Sequence, residues 1–229
     1  MDISTLDMEL LNTILLIIAV IGTVSYAISG ALTGIESKLD LFGVIVLAVI
    51  TATGGGFLRD LILGKSRFVI FEEWWYPLIA FAVSGLVFAV MWFIKDLSWE
   101  DSRAYRLTYL IIDSVGLGAF VIVGVLRAQT IGNVSNEGQL IFYALLTCVG
   151  GSLLRDLLVM RIPAIFRKHI YAVAAIIGSI YFVFMAKVIG NIWLNSITTV
   201  LIVVTIRFFA ARYKWNFPKI HLKYEEKTK

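Results

Sequence analysis

Apolar residues fall along this chain in long blocks. Seven stretches, at about 10–33, 41–63, 77–94, 106–126, 139–160, 170–190 and 192–211, are dominated by Leu, Ile, Val, Ala, Phe and Gly. A helix needs roughly 20 such residues to cross bilayer hydrocarbon, so each stretch predicts a transmembrane helix. The breaks are polar: GluSerLysLeuAsp at 36–40, LysSerArg at 65–67 followed by Glu72 and Glu73, the charged loop from Lys95 to Arg106, a Gly/Asn-rich link from Gln129 to Gly138, and Arg167, Lys168 and His169. The sixth and seventh stretches nearly touch at Gly190 and Asn191. Asp2, Asp7 and Glu9 precede the first stretch where a secretory leader would carry basic residues, so it reads as a retained span.

Composition removes the soluble alternative. With 59% hydrophobic and 16% charged residues among 229, no soluble domain is left over. The 20 Lys and Arg are unevenly spread. If the N-terminus is outside, fourteen fall on the inner side, four of them Arg161, Arg167, Lys168 and Arg207, while only Lys65, Arg67, Arg127 and Lys187 lie outside. That asymmetry predicts a multi-pass plasma-membrane protein of a prokaryote with a cytoplasmic C-terminus. The net charge of +4 asks for no nucleic-acid partner, since the basic tail serves as a topology signal. Cys148 is alone and His169 and His221 are far apart, so neither a disulfide nor a metal site is expected. No phosphate-loop, zinc-protease or triad pattern suggests an enzyme or a cofactor. Trp74, Trp75, Tyr76, Trp92 and Trp99 sit at span ends, as an interfacial aromatic belt would.

The chain repeats itself. ThrAlaThrGlyGlyGlyPheLeuArgAspLeuIleLeu at 51–63 matches ThrCysValGlyGlySerLeuLeuArgAspLeuLeuVal at 147–159, a separation of 96 residues. Upstream, Gly22, Tyr26 and Gly30 match Gly116, Phe120 and Gly124 at a separation of 94. Each unit holds three spans, and an odd number turns the second copy upside down. The expected architecture is an all-α membrane protein of seven helices: a first repeat at 1–95, an inverted second repeat at 104–190, a seventh helix at 191–211 and a basic cytoplasmic tail at 212–229.

Glycine runs at Gly54, Gly55, Gly56 and at Gly150, Gly151 weaken a helix and predict kinks beside a pathway, the alternative being close helix packing. Gly30 and Gly34 form a further GxxxG contact face. The pairs Arg59–Asp60 and Arg155–Asp156 follow the runs directly. An ionised group inside a span costs about 2.5–3.5 kcal/mol, so these face the bundle interior, where they line a pore or lock the repeats together. Neighbours on a helix point about 100° apart, which suggests crosswise pairing of Arg59 with Asp156 and Arg155 with Asp60. Asp113 has Ala19 as its counterpart, and is either a one-sided cation site or a carboxylate bonded to a nearby hydroxyl. Ser25, Tyr26, Ser29, Thr51 and Thr53 could supply oxygen ligands, although membrane Ser and Thr often bond their own backbone.

The inverted three-plus-three-plus-one layout, with TGGGxxRD at 53–60 and GGSLLRD at 150–156, resembles the prokaryotic branch of the trimeric intracellular cation (TRIC) channels. That sequence family also contains bacterial proteins named as glycine transporters. The resemblance implies a homotrimer with a pore in each protomer for K⁺ and Na⁺, kinked at 54–56 and 150–151, with the bilayer lipid around it. Ser152 stands where the first motif has Gly56, which leaves the second kink in question. The lysine-rich signature of the animal members is absent, so their lipid and Ca²⁺ control does not carry over. A cation channel is the first reading. A secondary transporter binding a small zwitterion at broken helix ends is the second, and a structural scaffold the third.

Overall fold

The computed structural model describes residues 8–94, 102–167 and 170–215, whose regular structure is all helix, with no strand among them. Among the described residues nine helices form in chain order: α1 (Met8–Glu36), α2 (Leu41–Ile62), α3 (Val69–Glu72), α4 (Trp75–Ile94), α5 (Arg103–Thr130), α6 (Glu137–Leu158), α7 (Ala164–Arg167), α8 (Ile170–Met185) and α9 (Ile192–Arg212). Six of them (α1, α2, α4, α5, α6 and α9) are long and apolar enough to span a membrane. The sixth expected span is shorter than read: α8 stops at Met185, and a turn carries the chain to Asn191. Asn191 then accepts from the backbone N–H groups of Trp193 and Leu194 and so starts α9. Lys95, Trp99, His169, His221 and most of the basic tail lie outside the described residues.

Caps fix the other starts. Asp40 accepts from Gly43 N at 2.7 Å ahead of α2, and Asn136, 96 residues later, accepts from Gln139 N at 3.1 Å ahead of α6. Both helices also end alike. Gly64 and Met160, again 96 apart, adopt left-handed φ values of 67° and 54° and turn the chain back.

Packing is layered by burial. α1 and α5 are innermost, whereas α4 presents Phe81, Leu86, Trp92 and Phe93 outward. In a bilayer that face meets hydrocarbon at no cost. Gly30 and Gly34 let α1 lie close against α2, since a Cβ on Gly30 would come within 2.7 Å of Ala48 Cα.

The glycine runs do not interrupt their helices. α2 and α6 run unbroken through Gly54, Gly55 and Gly56 and through Gly150 and Gly151. The close helix packing expected as the alternative to a kink takes the form of a crossing. A Cβ on Gly55 would overlap the Thr147 carbonyl oxygen, and a Cβ on Gly151 would overlap that of Thr51. The flanking contacts are equally reciprocal, with Gly54 against Leu154 and Gly150 against Leu58. The two backbones touch with no side chain between them, which only glycine permits.

Candidate functional site

Each ArgAsp pair closes on itself at the end of its helix. Arg59 Nε donates to Asp60 Oδ1 at 2.8 Å, and Arg155 Nε donates to Asp156 Oδ1 at 2.8 Å. The second carboxylate oxygen caps a short helix: Asp60 Oδ2 accepts from Val69 N at 2.9 Å, and Asp156 Oδ2 from Ala164 N at 2.8 Å. The chain folds back after Gly64 and Met160, so the aspartate faces both its own arginine and the returning segment. All four side chains are buried.

One of these arginines reaches farther. Arg155 Nη1 donates to Ser29 Oγ at 2.7 Å and lies 3.5 Å from Asp113 Oδ1. Asp113 also accepts from Ser29 Oγ at 3.0 Å and from Arg207 Nη1 at 2.8 Å. A single carboxylate on α5 therefore joins α1, α6 and α9. The Arg207 guanidinium lies over the Tyr171 ring, 4.3 Å from its centre. Tyr171 OH donates to Ser152 Oγ at 3.1 Å and sits 3.2 Å from Tyr26 OH, which in turn donates to the Cys148 carbonyl. Polar contacts thus run unbroken from Arg207 to the centre of the bundle.

A cavity of about 740 Å³ opens beside this network. Among the described residues Arg103, Arg106, Arg155, Arg161, Arg207, Arg212 and Lys214 line it, with Glu36 and Asp156 as the acidic ones. At its rim Glu36 accepts from Arg161 at 2.9 Å and from Tyr105 OH at 2.7 Å. A second cavity, of about 40 Å³, lies around Arg59, Thr23, Thr53 and Phe120 in the other half. There Arg127 binds both oxygens of Glu73, at 2.7 and 2.8 Å, and lies 3.3 Å from Tyr76 OH.

A protein-family model described as glycine transporter matches this chain at residues 16–92 and 110–187. The chain belongs to the glycine transporter family. Curated relatives at 32% identity are the UPF0126 membrane protein YvgT of Bacillus subtilis, aligned over 88% of this chain and 94% of its own length, and the UPF0126 inner membrane protein YadS of Escherichia coli, over 89% and 94%. Among solved structures, a TRIC cation channel at 31% identity superposes with a TM-score of 0.76, covering 91% of this chain and 98% of that one. The TRIC orthologue from Rhodobacter sphaeroides, at 26% identity, gives 0.77 over 89% and 100%. The resemblance seen in the sequence holds, and this glycine transporter family member is a multi-pass helical membrane protein.

Within this family member the geometry decides between several of the alternatives read from the sequence. The crosswise pairing is absent, because each arginine turns back onto the adjacent aspartate. Thr51 and Thr53 donate to Leu47 O and Val49 O on their own helix. Of the two roles open to Asp113, the hydroxyl bond is present, and two arginines accompany it. Tyr76 is buried against Arg127 and is not part of an interfacial belt, whereas Trp74 and Trp92 are exposed. Arg207 was assigned to the inner tail, yet it is buried within α9. Its place inside the stretch 192–211 was the signal.

The pairing is open to a direct check. In double-mutant cycles on melting in detergent, Arg59→Ala with Asp60→Asn should couple by about 1 kcal/mol or more, and Arg59→Ala with Asp156→Asn by less than about 0.5 kcal/mol. The reverse order would restore the crossed geometry.

Proposed function

We propose that this protein is a channel for monovalent cations, K⁺ and Na⁺, in a prokaryotic plasma membrane. The observation that carries this reading is the fold shared with TRIC cation channels over about nine-tenths of the chain. Each protomer of a homotrimer would hold its own pore. Tyr26, Ser29, Thr51, Thr53 and Asp113, together with the pairs Arg59–Asp60 and Arg155–Asp156, border it, and the bilayer lipid surrounds the trimer. The halves 1–95 and 104–190 are read as inverted repeats, with 191–211 as a seventh span and 212–229 as the tail. The reciprocal contacts of Gly55 with Thr147 and of Gly151 with Thr51 support that reading, because a two-fold axis exchanges them. The Lys/Arg distribution favours an outer N-terminus.

A transporter for a small zwitterion is the second reading. It is favoured by the unequal cavities, about 740 Å³ at one end and 40 Å³ behind the Arg127–Glu73 pair at the other, as in a carrier open to one side. Purified protein in planar bilayers under a KCl gradient separates the two. Resolved unitary currents that reverse toward the cation potential are expected. Saturable glycine exchange without unitary currents would establish the transporter instead.

A further inference from the structure

The two halves treat their matched arginines differently. Arg155 uses Nε and Nη2 on Asp156 and directs Nη1 to Ser29 and Asp113. Arg59 uses Nε and Nη2 on Asp60 in the same way, but no acceptor is found for its Nη1 among the described residues. The sequence gives the reason. At the separation of 94 residues, Asp113 corresponds to Ala19 and Ser29 to Val123, so both acceptors have been replaced by apolar residues.

The space they vacate remains open. Ala19, Val123 and Arg59 all line the cavity of about 40 Å³. Thr23 lines it too, and its hydroxyl oxygen is buried with no hydrogen-bond partner. A buried hydroxyl without a partner is costly. One water needs about 10–15 Å³ by the same measure, so the cavity has room for a group of about three heavy atoms.

We propose that this cavity is a binding site for a small carboxylate, which takes the place beside Arg59 that the Asp113 side chain takes beside Arg155. A carboxylate has three heavy atoms. One oxygen accepts from Arg59 Nη1 in a charge-assisted bond, and the other accepts from Thr23 Oγ1. The group can be a free acid of formate size or the head of a small amino acid. Binding does not depend on which species the protein transports.

The test uses full-length protein in detergent, in chloride-free potassium methanesulfonate, with melting followed against formate, glycine and chloride in turn. Saturable stabilisation by formate or by glycine is expected, and the one that binds identifies the source of the carboxylate. Ala19→Asp supplies the missing group from the chain itself, and it should abolish that response. Thr23→Val keeps the side-chain shape. It should weaken the response about tenfold or more while leaving the ligand-free protein at least as stable, because the unpartnered hydroxyl is gone. A hydroxyl with only a structural role would lower the ligand-free stability and leave affinity unchanged, which overturns the site. No saturable response to formate or glycine, a response to chloride alone, or an undiminished response in Ala19→Asp would overturn it as well.

Discussion

Gly55→Ala should collapse the yield of folded protein, and Gly151→Ala should do the same, while Gly56→Ala, one residue away from the first, should be tolerated. Overpacking costs about 1–3 kcal/mol where side chains can shift. Here the obstacle is the backbone carbonyl of Thr147 or Thr51, and a helix backbone cannot yield without losing its own hydrogen bonds. A loss of about 3 kcal/mol or more is expected. At Gly56 the nearest atom to an added Cβ is Arg59 Nη2 at 3.7 Å, an ordinary contact, and at Gly85 nothing lies within 4 Å. Melting temperature and monodisperse yield in detergent would measure all three variants. Equal sensitivity at 55 and 56 would mean that the run is needed for flexibility rather than for the crossing.

Asp113→Asn should be the most damaging change at the charged network. It leaves Arg207 without a carboxylate partner among the described residues, with only an amide oxygen and the Tyr171 ring beside it, while Arg155 keeps Asp156. Stranding a buried charge costs about 3–5 kcal/mol. Removing the stranded charge as well, in Asp113→Asn/Arg207→Met, should recover much of that loss, so the two sites should couple strongly in a thermal cycle. A melting point unchanged in Asp113→Asn would show that the carboxylate is not holding the arginines.

Most of the helical plan was legible in the sequence because uninterrupted apolar length is a strong signal. Every expected long span has a helix within a few residues of it, although α8 proved shorter. α3 and α7 were not legible. They are single turns held by a carboxylate eight or nine residues upstream, and no local periodicity marks so short a helix. Which partner each arginine takes was also hidden. Helix geometry sends successive Cα–Cβ bonds apart, but an arginine side chain is long enough to fold back onto its neighbour when the chain's return brings polar N–H groups to the same corner. Arg207 was within reach of the sequence: a cation inside an apolar stretch calls for a buried anion, and Asp113 was the one left without a charged partner.

The crossing of α2 and α6 also restricts how the two halves can move. Side-chain layers between helices deform, so packed helices usually slide by an ångström or two. Where Gly55 meets Thr147 and Gly151 meets Thr51 there is no such layer, and translation along either axis would drive a carbonyl oxygen into a Cα. Rotation about the crossing displaces the contacting backbone atoms least, because they lie nearest its axis. The crossing is therefore a fulcrum. A change that opens one end of the bundle must proceed by tilting around it, and the displacement of each residue should grow with its distance from the glycines.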